Sequence, residues 1–159
     1  MNINWPPRFD PKVAPIHVRN ELAMDAPPAA VWAWLIRASE WPLWYSNSAA
    51  VRIDGGARDL SAGVEFRWRT FNMPLVSRVH EFVPGERIGW FAVGVGIDVY
   101  HAWLIEPRGS GCWVLTEETQ YGFVSRLGKL FMPQNMSKWH QIWLEKLAQK
   151  AAGGPPAST

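Results

Sequence analysis

Apolar residues recur along this chain with two different periods. Over most of residues 14–121 the period is two, which predicts strands, and from Met132 to Ala151 it is close to 3.6, which predicts a helix. Ala14 to Met24 sets Ile16, Val18, Leu22 and Met24 on one side and His17, Arg19 and Glu21 on the other, as a half-buried strand does. Ala29 to Arg37 has helical composition, with Asp25 or Ala26 as cap and proline in the first turn. Glu40 to Tyr45 predicts a second short helical turn, and Ala49 to Asp54 a short strand closed by Gly55-Gly56.

Turn residues register the next strands. Val64 to Phe71 alternates Val64, Phe66 and Trp68 against Glu65, Arg67 and Arg69. A two-residue turn at Asn72-Met73 would set Trp68 opposite Ser77 and Phe66 opposite Val79. A turn at Pro84-Gly85 would set Val79 opposite Trp90 and Glu81 opposite Ile88. Both assignments give one inner face, including Phe66, Trp68, Ser77, Val79, Ile88 and Trp90, with Glu81 on its rim. Val99 to Ile105 and Cys112 to Tyr121 form a hairpin over Arg108-Gly109-Ser110-Gly111, which sets Trp103 opposite Thr116 and His101 opposite Glu118. The preceding turn decides their face. Two residues at Val95-Gly96 turn His101 inward, whereas three would turn Tyr100, Ala102 and Leu104 inward.

On the C-terminal helix, Met132, Met136, Trp139, His140, Trp143 and Leu147 share one face, and Lys138, Gln141, Glu145 and Gln149 the other. Ser125 can cap a short helix through Phe131, whose apolar phase differs, so Pro133 predicts a kink or break. The pattern therefore predicts an α+β domain, a curved antiparallel sheet wrapped around a long C-terminal helix, with two short helices after the first strand. The expected boundaries are an N-terminal arm over 1–13, the domain over 14–151 and a disordered tail over 152–159.

Composition changes this picture at one point. Eleven tryptophans among 159 residues suit a wide aromatic-walled pocket or a sticky surface, and equally the filling of an ordinary core. The net charge of +2 gives no argument for nucleic acid. A single cysteine, Cys112, excludes an intrachain disulfide and a multi-Cys metal site, and it has no evident base nearby. The N-terminal stretch lacks an apolar signal-peptide region, and no run reaches the roughly 18 apolar residues of a membrane span. A cytoplasmic protein is the expectation, as monomer or homodimer.

The sharpest chemical constellation is His101 opposite Glu118, with His140 able to meet them from the helix. In a cavity, His101 is a candidate general acid/base and Glu118 its orienter. The alternative is an exposed cross-strand pair worth a few tenths of a kcal/mol. Trp68, Ser77, Val79, Trp90, Trp103, Thr116, Met136, Trp139, His140 and Trp143 are the candidate ligand-binding residues, and the tryptophans among them serve equally well as core. Four histidines without HExxH spacing suggest no metal site, and no cofactor is expected. Gly94-Val95-Gly96 precedes a strand, so a phosphate-binding role is rejected.

Several segments, in order, carry a resemblance. Ala26-Pro27-Pro28-Ala29-Ala30-Val31-Trp32, Trp41-Pro42-Leu43-Trp44, the "LxxGxxF" pattern of Leu60 to Phe66, and "VxExxPxxRI" from Val79 to Ile88 are similar to motifs of the SRPBCC superfamily (START-related, pollen-allergen-like, polyketide cyclase/dehydrase). His101-Ala102-Trp103 with Thr116-Glu117-Glu118 and Gly122 resembles its polyketide-cyclase-like branch. Tyr45-Ser46 stands where many members carry a proline. The resemblance spans Val13 to about Lys150 and implies a helix-grip fold. It implies either binding of a small hydrophobic molecule (lipid, polyketide or aromatic metabolite) between sheet and helix, or a metal-free cyclase/dehydratase using His101 and Glu118. Fold alone does not choose between them.

Overall fold

The computed structural model describes residues 2–157. Its strands are β1 (Ile16–Met24), β2 (Ala49–Ile53), β3 (Glu65–Thr70), β4 (Met73–Val83), β5 (Arg87–Gly94), β6 (Ile97–Arg108) and β7 (Gly111–Tyr121). Its helices are α1 (Pro28–Ile36), α2 (Trp41–Trp44), α3 (Phe123–Phe131) and α4 (Asn135–Ala152). The strands form one antiparallel sheet in the order β1-β7-β6-β5-β4-β3-β2, a six-stranded meander whose last strand pairs with β1. The sheet curves around α4, and this is the helix-grip fold.

α1 starts later than its expected cap, because a residue preceding proline is pushed out of the helical region. Pro27 is accordingly extended and Pro28 is the first helical residue. The break at Pro133 is present. α3 ends at Phe131 and α4 begins at Asn135, so Met132 drops out of the helical stripe and is exposed. Of the rest of that stripe, His140, Trp143 and Leu147 are buried and Met136 and Trp139 are partly so, while Leu144, outside the expected stripe, is buried with them.

Two registers differ from expectation. Thr70 pairs with Met73, so the β3–β4 turn is Phe71-Asn72, Phe66 faces Ser77 and Trp68 faces Leu75. Phe71 and Asn72 both have positive φ (48° and 60°), as the hairpin turn whose twist matches the strands requires. The slip is two residues, so every side chain keeps its face. Between β4 and β5, Val79 faces Trp90 as expected, but a bulge at His80 then sets Glu81 opposite Gly89 and Phe82 opposite Ile88. The extra residue resets the alternation. Phe82 turns inward against Trp32, and Glu81 leaves the inner face to pair with Arg87 at 3.0 Å. The decisive turn has two residues, Val95-Gly96, so His101 points inward opposite Trp90.

Most of the tryptophan load fills the space between sheet and α4. Trp41 touches Trp68, Trp90 and Trp143 at centroid distances of 5.5, 5.8 and 5.1 Å, and Tyr45 stacks on Trp143 at 4.5 Å. The sheet's other face has its own small core. Phe9, in a short turn of 3-10 helix, is buried against Tyr100, Phe91 and Tyr121, and Thr119 and Tyr121 donate hydrogen bonds to the backbone carbonyls of Phe9 and Arg8. At the other end the Trp34 indole N–H donates to the Gly154 carbonyl at 2.8 Å. Met1 of the expected arm and residues 158–159 of the expected tail lie outside the described residues. Among the described residues no helix is long and apolar enough to cross a membrane.

Candidate functional site

β6 and β7 present their inward residues in register, and α4 closes over them. His101 and Glu118 are cross-strand partners, and His140 comes down from the first turns of α4. Glu118 Oε2 lies 3.0 Å from His101 Nδ1 and 3.4 Å from His140 Nε2, and all three residues are buried. The two imidazoles stack at 4.8 Å, and Trp90 and Trp103 flank His101 at 4.9 and 5.4 Å. Gln120, two residues beyond Glu118 on the same face, donates its amide to the Glu118 carboxylate and touches the Met136 sulfur at 2.8 Å.

Electrostatics follow from this geometry. Burial by itself would raise the Glu118 carboxyl. The charge on His101 and the hydrogen bonds from His101 and His140 outweigh burial, and Glu118 is held well below the ordinary carboxylate range. His101 moves down because burial disfavours the imidazolium more than Glu118 favours it. Neutral His101 has one N–H, and a carboxylate can only accept, so that proton sits on Nδ1. Its Nε2 then accepts from the Thr116 hydroxyl at 2.7 Å. Both ring nitrogens of His101 are thus engaged. His140 differs: its Nε2 faces Glu118, while Nδ1 is buried without a hydrogen-bond partner among the described residues.

The chain therefore assembles two histidines and a carboxylate from positions that no spacing motif links, with their ligand atoms within 4.8 Å of one another. Imidazole lone pairs lie in the ring plane, and ligation needs nitrogens about 2.0–2.1 Å from the ion. Here His101 Nδ1 and His140 Nε2 both face Glu118 Oε2, at 3.0 and 3.4 Å, which are hydrogen-bond distances. Among the described residues, His101, Glu118 and His140 are the ones that could hold a metal ion, and as they stand they form a hydrogen-bonded acid/base cluster.

One cavity borders the cluster and a second, larger one lies beyond it. The inner one, about 30 Å³, is lined by His101, Glu118, His140, Trp68, Trp90 and Trp143, among others. Trp90 and Trp143 have indole N–H groups that are buried without a partner among the described residues. The outer one, about 490 Å³, lies between β1, the β3–β4 turn, α3 and the start of α4. Met136 and Trp139 line the outer cavity, whereas Ser77, Val79, Trp103 and Thr116 line neither. Ser77 instead accepts the Trp68 indole N–H at 3.0 Å, and Val79 and Trp103 are buried in the core. Phe71, Met73, Ile97 and Gln120 border both cavities and form the wall between them.

Most of the outer lining escaped sequence reasoning. Gln120 was within reach, since alternation from Thr116 and Glu118 places it on the same face. Val124, Gly128 and Lys129 come from α3, whose position follows from the break at Pro133 and from no periodicity.

Comparisons with known proteins agree with the architecture. Residues 15–152 match the family described as "Polyketide cyclase / dehydrase and lipid transport". A hypothetical protein of Helicobacter pylori, jhp0584, is 28% identical with a TM-score of 0.89, over 95% of this chain and 97% of its own. TTHA0849 of Thermus thermophilus is 16% identical with a TM-score of 0.72, over 89% of this chain and 100% of its own. StfQ, a di-domain ARO/CYC from the steffimycin biosynthetic pathway, is 14% identical with a TM-score of 0.71, over 87% of this chain and 51% of its own. Among proteins with curated descriptions none matches in sequence. With nearly its whole length matched to that profile and its sheet wrapped around α4, the chain belongs to the polyketide cyclase/dehydrase and lipid transport family of the SRPBCC superfamily.

Proposed function

We propose that this protein binds a small hydrophobic molecule between α3, α4 and the sheet. The observation that carries this is the outer cavity, whose volume of about 490 Å³ lies within the roughly 300–1,000 Å³ usual for small-molecule sites. Its walls are mainly apolar, with Ile16, Val18, Met73, Ile97, Met136 and Trp139 among them. Affinity would come from burial of the ligand body. Gln120, whose amide donates to Glu118 and Met136, stands at its inner end. The family's description, which joins lipid transport with cyclisation and dehydration, supports the same ligand class.

The test uses the roof of the cavity. Gly128 lines it, sits in a helix, and has open space where a Cβ would stand. Gly128→Phe should fold normally and lower affinity for a hydrophobic fluorescent probe at least tenfold, read through quenching of tryptophan emission. Unchanged affinity with unchanged stoichiometry would remove the proposal.

The second reading, an acid/base cyclase or dehydratase, is supported by the buried His–Glu–His cluster beside the inner cavity. His101 would have to surrender its Thr116 hydrogen bond before accepting a substrate proton. His140 would not, because its Nδ1 is unpaired and Glu118 orients the opposite nitrogen. Its Nδ1 could take a proton from carbon alpha to a carbonyl and return it to a departing hydroxyl, releasing water. Gln120, with Phe71, Met73 and Ile97, stands between the outer cavity and the cluster, and this wall ranks binding first. Full turnover of a β-polyketone substrate by His140→Gln would eliminate this alternative.

A further inference from the structure

The outside of α3 presents apolar side chains that nothing among the described residues covers. Phe123, Leu127, Leu130 and Phe131 are 64, 47, 72 and 74% exposed, and they recur at i, i+4, i+7 and i+8, so they form one stripe. Met132 follows at 59%, and Val95, in the neighbouring β5–β6 turn, stands out at 86%. The turn and helix are in contact, since Gly96 lies against the side chains of Phe123 and Val124. A contiguous exposed apolar patch of this kind marks an interaction surface. Within α3 the charge has one sign. From Gly122 to Gln134 the chain carries Arg126 and Lys129, both exposed, and no acidic residue.

The inner side of the same helix roofs the outer cavity through Val124, Ser125 and Gly128, and exposed Lys129 stands at its edge, with Nζ 3.4 Å from the Pro15 carbonyl. A surface that is apolar in the middle, cationic at its flank and placed over a cavity mouth fits the boundary of a lipid layer. Apolar side chains can enter acyl chains there while cations meet phosphate. Pairing with a second copy is disfavoured by the same charges. A two-fold contact would set Arg126 and Lys129 against their own counterparts with no acid in the segment to neutralise them.

We propose that α3 docks the protein on an anionic lipid bilayer, with the Phe123-Leu127-Leu130-Phe131 stripe inserted at the interface and Arg126 and Lys129 on the head groups. Docking sets the roof of the cavity against the lipid. It does not depend on which molecule the cavity takes, and vesicles alone measure it.

Co-sedimentation with phosphatidylcholine vesicles, with and without phosphatidylglycerol, is the test. The protein should pellet with the anionic vesicles, less so as salt rises, and remain largely in the supernatant with phosphatidylcholine alone. Leu130→Asp with Phe131→Asp should abolish pelleting, and thermal melts of this variant should match the parent because both positions are exposed. Arg126→Gln and Lys129→Gln should each weaken binding roughly fivefold, as expected for one cation near an anionic surface. A parent protein that stays in the supernatant with anionic vesicles overturns the proposal, as does undiminished pelleting of the double aspartate variant. A dimer in sedimentation velocity that this variant dissolves, with no vesicle binding by the parent, would assign the stripe to a second copy instead.

Discussion

Glu118 and His101 couple the stability of the protein to acid. An ordinary histidine takes up its proton near pH 6.5, but buried His101 resists protonation in the folded state. Below that pH the unfolded chain binds more protons than the folded one, so stability falls. Glu118 acts with the same sign lower down. Its folded carboxylate is depressed below the ordinary 4.5, so its contribution is complete above 4.5 and is lost as pH drops further. Urea unfolding followed from neutral to acid pH should show a loss beginning below pH 6.5, at most about 1.4 kcal/mol per pH unit for each proton. His101→Gln should flatten the upper part of that slope and also shrink the part below 4.5, because the charge and hydrogen bond of His101 are the largest influences holding Glu118 down. An unaltered slope would mean that His101 does not govern it.

At the scale of elements, the junction of β7 with α3 matters most, because it positions the roof of the cavity. Gly122 turns the chain there with φ of 113°, and a Cβ at this position would collide with the Gly96 carbonyl. Gly122→Ala should therefore cost about 1–3 kcal/mol, since the residue combines a left-handed backbone with backbone contact. Thermal melts measure the cost, and Gly128→Ala in the same helix is the comparison. That second change has open space and an ordinary φ, so it should stabilise by up to about 1 kcal/mol. Equal effects at the two positions would show that the close approach to Gly96 is not what fixes α3.

For the molecule as a whole, the sheet has two cores of unequal size. The larger packs against α4 and holds the acid/base cluster, and the smaller is closed by the segment before β1. Phe9 carries much of that closure, being 4% exposed among three aromatic rings of β5, β6 and β7. Phe9→Ala should lower stability by about 3 kcal/mol in denaturant unfolding, within the range for buried aromatic truncations. A loss below about 0.5 kcal/mol, the scale of ordinary surface changes, would mean the segment does not hold the sheet.

Much of this architecture was legible from periodicity, because alternation and helical spacing are local properties of the chain. The strands, the inner face of Phe66, Trp68 and Trp90, the pairing of His101 with Glu118, and the break at Pro133 all follow from such spacing. What tertiary structure alone decided lies between elements. The bulge at His80 moved Glu81 off the inner face, and nothing local marks where a strand gains a residue. Phe9 sits in a segment with no period, so only the rings on the outer face of β5–β7 give it a place. His140 meets Glu118 across a gap that no sequence interval encodes, and α3 roofs a cavity because Pro133 frees it from the helix that follows. Local spacing dictates which side of an element is apolar, but the distance between two such sides depends on the packing of every ring between them.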